Sequence, residues 1–330
     1  MGSQASPLLT VHDPADSALL GVSSDLIGGY VHAVSHADRD LVLFVNGRSR
    51  SGANHAEEAR SALINEGFNV TRFEVCSQKA KFTRLVQESV ASKEPIIAIG
   101  GGDGTLRMAA ELMAGSESTL AVFPMGTGNA WAKDLGIPLS SAQAAKGMTT
   151  AKAELIDLGM ANGRGFVNVA TIGLTALIVK NLPDAGKGRF GKWVYLPAVL
   201  RSLRELHSFE LKVTSIHDNY EGQALLFVAA AGRTHAGPFR VTRASSNCDG
   251  KLSLYALDDT DRKGLFKFGV GLLTGMHTLL KEVWTCEVES AKITTSPSKR
   301  IIVDGERTDT TPLDLTIKAG ALRVLIPGNP

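Results

Sequence analysis

Along the first 150 residues, short all-apolar runs alternate with stretches whose apolar positions recur every three or four residues. Leu41-Val-Leu-Phe-Val45 is the first such run and ends in Asn46-Gly-Arg-Ser-Arg-Ser-Gly52. A helix is predicted next, with Ala56, Ala59, Leu63 and Ile64 on one face. Phe68 to Val75 predicts a second strand, and Phe82, Leu85, Val86 and Val90 a second helix. Pro95-Ile-Ile-Ala-Ile99 reads as a third strand running into Gly100-Gly-Gly-Asp-Gly-Thr105. Leu106, Ala109, Ala110 and Met113 then return to helical spacing. Leu120-Ala-Val-Phe123 is a fourth strand, before Pro124-Met-Gly-Thr-Gly-Asn129 and another helix. Strands without polar alternation are buried on both faces, so this order predicts a parallel sheet between layers of helix.

After about residue 155 the texture changes. Gly165–Thr171, Glu210–Ile216, Ala224–Ala230, Lys251–Leu257, Trp284–Glu289, Ile301–Val303, Asp314–Ile317 and Leu322–Ile326 are β-like runs separated by turns. Only about 190–207 and 262–281 have helical spacing. The predicted class is therefore α/β plus mainly β: an N-terminal parallel α/β nucleotide-binding domain over residues 39–155, and a C-terminal antiparallel β-sandwich-like domain over 156–330. The C-terminal end is allowed to pack back on the first domain. Residues 1–38 show no clear period and read as a flexible extension.

Composition narrows the class. Hydrophobic residues are 44% and charged residues 21% of 330, ordinary for a folded chain, and the net charge of +2 gives no global case for nucleic-acid binding. No apolar run reaches the roughly 18–20 residues of a membrane span, and the start does not read as a secretory signal. Cys76, Cys248 and Cys286 are far apart in sequence, which argues against a zinc site or disulfide framework and fits a reducing, cytoplasmic compartment. The eight histidines show no metal spacing. Gly2 and Ser6 formally match a myristoylation pattern, which a disordered start explains as well.

The chemistry is expected where the parallel strands end, because open α/β sheets bind ligands at the carboxyl ends of their strands. Three of those ends carry glycine-containing loops, each followed by a helix. Glycine lets backbone N–H groups approach a polyphosphate closely, and a helix N-terminus adds free donors. Asp103, between two glycines, is either a helix cap or a group that positions Mg²⁺ or the γ-phosphate. The chain has no G-x-G-x-x-G after its first strand and no P-loop.

Taken together, Gly101-Gly-Asp-Gly-Thr-Leu106, Pro124-Met-Gly-Thr-Gly-Asn129 and Leu135-Gly-Ile-Pro138 resemble the diacylglycerol kinase catalytic-domain family, which includes bacterial-type lipid kinases and sphingosine kinases. The resemblance continues through Phe166-Val-Asn-Val-Ala-Thr-Ile-Gly173, Gly222-Gln-Ala-Leu-Leu226, Cys248-Asp-Gly250, Val303-Asp-Gly-Glu306 and Gly320–Pro327, so it covers about residues 40–328. It implies that Asn46 with its loop to Gly52, then Gly101, Gly102, Asp103, Gly104, Thr105, Leu106 and Arg107, and then Gly126 and Thr127 line an ATP site. It also implies that Asp249, with backbone oxygens at Ser246 and Lys251, holds a structural Mg²⁺. Glu306 matches the family's proton acceptor, with Asp304 beside it. Three positions depart from the pattern: Gly47 where proline is usual, Arg107 in place of asparagine, and Cys248 in place of an acidic residue.

The implied reaction is transfer of the γ-phosphoryl of ATP to a lipid hydroxyl, with diacylglycerol ahead of sphingoid bases, ceramide or phosphatidylglycerol as acceptor. A kinase for a soluble acceptor of the NAD kinase type, and a nucleotide- or lipid-binding protein without catalysis, are the alternatives. A lipid acceptor implies peripheral contact with a membrane surface, and a homodimer is compatible with it. Lys187, Arg189 and Lys192, interleaved with Phe190, Trp193 and Tyr195, suit an interfacial helix, although Pro197 interrupts it. Leu265 to Leu280 reads as core or as the lining of an acyl pocket.

Overall fold

The structure is a computed structural model describing residues 30–33, 39–48, 52–181, 195–216, 218–232, 234–235, 239–240, 247–274 and 276–328. Most of the N-terminal extension, Gly2 and Ser6 among it, lies outside these residues. So do Ser246 and the basic-aromatic cluster from Lys187 to Trp193. Tyr30–Ala33 forms β1, so the end of the extension is a strand.

The first half runs β2 (Asp40–Asn46), α1 (Gly52–Asn65), β3 (Asn69–Cys76), α2 (Lys79–Ala91), β4 (Ile96–Gly101), α3 (Asp103–Met113), β5 (Thr119–Pro124), α4 (Ala130–Asp134) and α5 (Ser141–Met148). Every residue from Leu41 to Val45 is at most 1% exposed, as its unbroken apolar run requires. α2 buries Phe82, Leu85 and Val86, and α3 buries Leu106, Ala109, Ala110 and Met113, the faces expected from their spacing. Ser140 caps α5 by accepting the Gln143 N–H at 3.3 Å. β3, β2, β4 and β5 lie side by side in that order and all parallel. The chain goes from β2 outward to β3 and then returns to β4 on β2's other side. The crevice between the carboxyl ends of β2 and β4 is thus a topological switch point, where open α/β sheets hold ligands.

The second half contains β6 (Lys152–Ala161), β7 (Arg164–Phe166), β8 (Val169–Gly173), α6 (Leu174–Asn181), α7 (Tyr195–Arg204), β9 (Phe209–Thr214), β10 (Asn219–Ala230), the small ladder β11 (Thr234–His235) and β12 (Phe239–Arg240), and β13 (Leu252–Asp258). It continues with α8 (Arg262–Thr274), a 3₁₀ turn at His277–Leu279, β14 (Val283–Val288), β15 (Ser290–Ser296), β16 (Arg300–Val303), β17 (Glu306–Thr310) and β18 (Leu313–Ile326). Its pairings are antiparallel, with β8, β9 and β10 central, and a second core forms around Phe166, Phe209, Phe227 and Leu254. The two halves share one strand. β18 pairs antiparallel with β15 and β6, then meets β5 in parallel at Arg323 and Val324.

The segment read as core or pocket lining, Leu265 to Leu280, divides its side chains. Phe268 is 3% exposed and His277 is fully buried, edge-on to Tyr255 and Phe268, whereas Phe266 and Leu279 point outward. Among the described residues, no helix is long and apolar enough to cross a membrane.

Candidate active site

At the switch point Asn46 closes β2, and its Nδ2 donates to Thr105 Oγ1 at 2.7 Å, tying β2 to the first turn of α3. The Asn46 Oδ1 accepts the Arg48 N–H at 3.0 Å, so the same side chain also shapes the outgoing loop. The next bond, from the Met125 N–H to the Gly101 carbonyl at 2.8 Å, carries the parallel ladder past the strand ends. There the two glycine loops touch backbone to backbone: a Cβ on Gly126 would lie 2.6 Å from the Gly102 Cα. Only glycine permits that approach. Asn129, in left-handed conformation with φ 48°, holds the second loop by binding both the N–H and the carbonyl of Gly126. Asp103 locks the loops together from the other side, accepting the Trp131 N–H on Oδ1 at 3.2 Å.

These contacts frame a cavity of about 400 Å³. Asn46, Gly102, Asp103, Gly104, Thr105, Arg107, Gly126, Thr127 and Glu306, all singled out by the sequence, line it. Leu106 instead lies fully buried in the N-terminal core, and Gly101 is the buried last residue of β4. Arg48, Ser77, Gln78, Lys79, Phe82 and Met108 complete the wall, and Cys76 borders it. Arg48 belongs to the loop after Asn46 that the resemblance already indicated; the motif reading did not reach the rest of this second wall, which carries no glycine signature. Its signal is position alone: Cys76 ends a parallel strand, and Lys79 opens α2 just beyond. The N-termini of α2 and α3 therefore face one cavity, each adding partial positive charge to that of Arg48 and Lys79.

Glu306 comes from the other half of the chain. The β16–β17 turn sets it over α3, where a Cβ on Gly104 would lie 2.9 Å from its Oε1. Its Oε2 accepts from Arg107 Nη2 at 3.1 Å and from Arg164 Nη2. Arg107, 4% exposed, also reaches Glu111 Oε2 at 3.1 Å and the Gly165 carbonyl. The arginine that replaces the expected asparagine is thus a clip between the halves. Arg164 and Glu111 were not foreseen, since 142 residues separate Arg164 from Glu306.

Asp304 does not line the cavity. Its oxygens accept the N–H groups of Val167, Asn168 and Val169 at 2.9 to 3.0 Å, anchoring the turn from which Glu306 projects. Burial pushes its pKa up to about 6, against the opposing pull of those amides and of Arg107. Asp304 and Gly305 both have positive φ, the backbone a two-residue turn of this kind requires.

Asp249 and Lys251 also lie away from the cavity. Asp249 Oδ1 accepts the Lys251 N–H at 3.1 Å, and this loop is pinned by Asp157, whose oxygens take the N–H groups of Gly250 and Gly320 at 2.7 Å each. Burial is the main cause that raises the Asp157 pKa. Asp157 escaped the sequence reading because the strand carrying it, β6, was not recognised.

The comparisons with known proteins bear on this geometry. The sequence matches the diacylglycerol kinase catalytic domain over residues 40–161 and the YegS C-terminal NAD kinase β-sandwich-like domain over 168–326. A Pseudomonas aeruginosa protein named "Probable lipid kinase YegS-like" is 31% identical over 299 residues, covering 89% of this chain and 97% of the relative. A relative of the same name from Pseudomonas syringae pv. tomato is 30% identical across 74% of this chain and 80% of its own length. The chain belongs to the YegS-like lipid kinases of the diacylglycerol kinase family. A solved structure from Bacillus anthracis strain Sterne, of a protein assigned as a diacylglycerol kinase, superimposes with a TM-score of 0.71 at 25% identity, covering 88% of this chain and 97% of that one.

Kinase family membership implies ATP, and the cavity of this YegS-like lipid kinase fits it. The close Gly102–Gly126 backbone contact holds the two glycine loops together at the cavity, the N-termini of α2 and α3 point into it, and Arg48 and Lys79 on its wall carry charge opposite to phosphate. For Mg²⁺, Asp103 and Glu306 supply hard oxygens on the cavity wall, in keeping with an ion that takes one or two carboxylates together with substrate phosphates. Among the described residues there is no cluster of three or more His, Cys, Asp or Glu. At Asp249 a cation would draw its remaining oxygens from backbone carbonyls.

Proposed function

We propose that the chain transfers the terminal phosphoryl group of ATP, carried with Mg²⁺, to the hydroxyl of diacylglycerol, giving phosphatidic acid and ADP. One observation supports this above the others: a carboxylate from the β-rich half, Glu306, stands over Gly104 in the cavity built by the two glycine loops.

Phosphoryl transfer passes through a loose transition state, so positioning and charge neutralisation dominate. The Asp103, Gly104 and Thr127 amides receive the phosphates, the Gly126 and Thr105 amides being bonded already to Asn129 Oδ1 and the Gly102 carbonyl. Arg48 and Lys79 neutralise the phosphates, and Asp103 locks the loops from its place on the cavity wall. Bound Mg²⁺ would supply neutralisation of the β- and γ-phosphate charge, held by Asp103 and the phosphates themselves. As the lipid oxygen bonds to phosphorus and the bond to the ADP oxygen breaks, Glu306 takes the hydroxyl proton. Arg107 and Arg164 fix its carboxylate, and Asp304 fixes the turn that carries it. In this reading Asp249, outside the cavity, would be the carboxylate that holds a structural cation away from the chemistry. The enzyme works peripherally, at the cytoplasmic face of a membrane.

Incubating the purified chain with γ-labelled ATP, Mg²⁺ and separate acceptors tests it. Label should move to diacylglycerol in mixed micelles in preference to a sphingoid base, ceramide, phosphatidylglycerol or NAD. Label appearing in NAD alone, or in no acceptor despite ATP binding, would overturn the assignment.

A further inference from the structure

We propose that the outer face of α8, with the turn that follows it, seats the molecule on an anionic lipid bilayer. This rests on the lipid-acceptor reading but uses residues outside the nucleotide cavity. Lys263, Phe266, Lys267, Val270 and Thr274 fall at helical spacing on one side of α8, and all are exposed. Phe266 is 74% exposed and Val270 44%, and just beyond the helix Met276 and Leu279 are 46% and 64% exposed. Four large apolar side chains so displayed on one short segment cost solvation in water, and such patches mark interaction sites.

The display is rigid. On its inner side α8 buries Phe268 against Tyr255, and fully buried His277 packs edge-on to both rings, at 5.2 Å from Tyr255 and 5.9 Å from Phe268. The Met276 N–H binds the Gly271 carbonyl at 2.8 Å, and a Cβ on Gly271 would lie 2.8 Å from the His277 Cα, so the turn is closed tightly onto the end of the helix.

Charge selects the occupant. Lys263, Lys267 and Lys281 are exposed with the apolar tips, and among the described residues no exposed position from Lys263 to Lys281 is acidic. The neighbouring acids lie at the ends: Asp259 and Asp261 before the helix, and Glu282 at the start of the next strand. The Asp261 Oδ1 is engaged by the Gly264 N–H at 2.8 Å. A helix lying in a membrane interface has this division of apolar tips and flanking lysines. A two-fold contact with a second copy would set the same lysines against each other.

The full chain should cosediment with vesicles of phosphatidylcholine containing 30% phosphatidylglycerol, roughly a fraction at which anionic charge attracts lysine. It should bind pure phosphatidylcholine much less. Phe266→Ser with Leu279→Ser should weaken this binding about tenfold or more through lost apolar transfer. Lys263→Glu with Lys267→Glu, a surface change with little bearing on folding, should weaken it by at least about fivefold per lysine and remove its salt sensitivity. Transfer to a short-chain, water-soluble diacylglycerol, assayed separately, should persist in both double variants. Wild-type chain that ignores anionic vesicles, or charge variants that still bind them, would overturn the proposal. So would variants that bind vesicles normally while shifting the chain from dimer to monomer, assigning the patch to a second copy. Absence of kinase activity with intact vesicle binding would fault the functional reading instead.

Discussion

At the scale of single residues, the two carboxylates of the β16–β17 turn divide their work by what their oxygens touch. Glu306 is half exposed, meets the cavity and is held by two arginines on one oxygen, leaving the other toward Gly104. Glu306→Gln keeps the shape and an acceptor for the arginines while removing the proton-accepting charge. It should lower kcat by about 10²- to 10⁴-fold with nucleotide affinity unchanged. A kcat close to wild type would remove Glu306 from the proton-accepting role. Asp304 holds three amides, so its replacement should act on stability. In Asp304→Asn the amide nitrogen faces N–H donors, costing about 1–3 kcal/mol at neutral pH. The pH dependence carries a definite sign. The folded-state pKa of about 6 lies above the unfolded value near 3.8, so between those values the folded chain binds the extra proton. Stability from this group is then largest below pH 4 and falls as pH rises through 6. Urea unfolding at pH 4.5, 5.5 and 6.5 should show the gap between wild type and Asp304→Asn shrinking with pH. A constant gap would mean the amides already hold the carboxylate ionised. That Asp103 and Glu306 line one cavity could be expected from the sequence because each sits in a motif. Arg164, Glu111 and Asp157 could not, because their partners are brought to them only by folding.

At the scale of elements, the parallel half was legible because β2, β4 and β5 are almost wholly buried apolar runs, while the edge strand β3, Asn-Val-Thr-Arg-Phe-Glu-Val-Cys, is mostly exposed or half-buried. The later strands were less so. β15, Ser-Ala-Lys-Ile-Thr-Thr-Ser, and β17, Glu-Arg-Thr-Asp-Thr, are polar and partly exposed, and neither registers as an apolar run. α6, Leu-Thr-Ala-Leu-Ile-Val-Lys-Asn, has β-like composition, and its packing on β8 and α7 makes it helical. The loops between elements depend on contact distances that no motif states. Gly126→Ala would drive a Cβ to 2.6 Å from Gly102 and 2.9 Å from the Asn129 carboxamide. The expected result is a loss of about 1–3 kcal/mol in stability and at least a tenfold weaker nucleotide affinity, read by thermal melts and ATP titration. Unchanged affinity would show that the two loops do not jointly hold phosphate. Gly269→Ala is the converse, because nothing lies within 4 Å of its added carbon on the exposed side of α8. It should stabilise the chain by about 0.5–1 kcal/mol in the same melts, through helix propensity and lower unfolded-state entropy. A loss of stability would mean the outer face of α8 is more crowded than its exposure shows.

At the scale of the whole molecule, one strand decides whether the halves behave separately. The sequence suggests two short runs, Asp314–Ile317 and Leu322–Ile326, because Lys318-Ala-Gly-Ala interrupts the apolar pattern. The chain instead continues through that interruption as β18, with a register shift between Lys318 and Leu322 and Gly320 at φ +56°. Leu313 and Leu315 belong to the C-terminal core, whereas Leu322, Val324 and Leu325 belong to the N-terminal one. Arg107 and Glu306 add a polar bond between the same two bodies. Chains of this size often unfold in steps. Here β18 supplies residues to both cores, so melting either half exposes the other's apolar surface. Leu322→Ala, about 2–5 kcal/mol destabilising from the cavity it leaves, should therefore lower one shared transition. Intrinsic fluorescence and far-UV circular dichroism should follow it together, and saturating ATP with Mg²⁺ should raise it by about 2.7 kcal/mol at a hundred times the dissociation constant. Two separated transitions, with only one moved by the substitution, would show that β18 does not couple the halves and that the cleft between them opens without unfolding either.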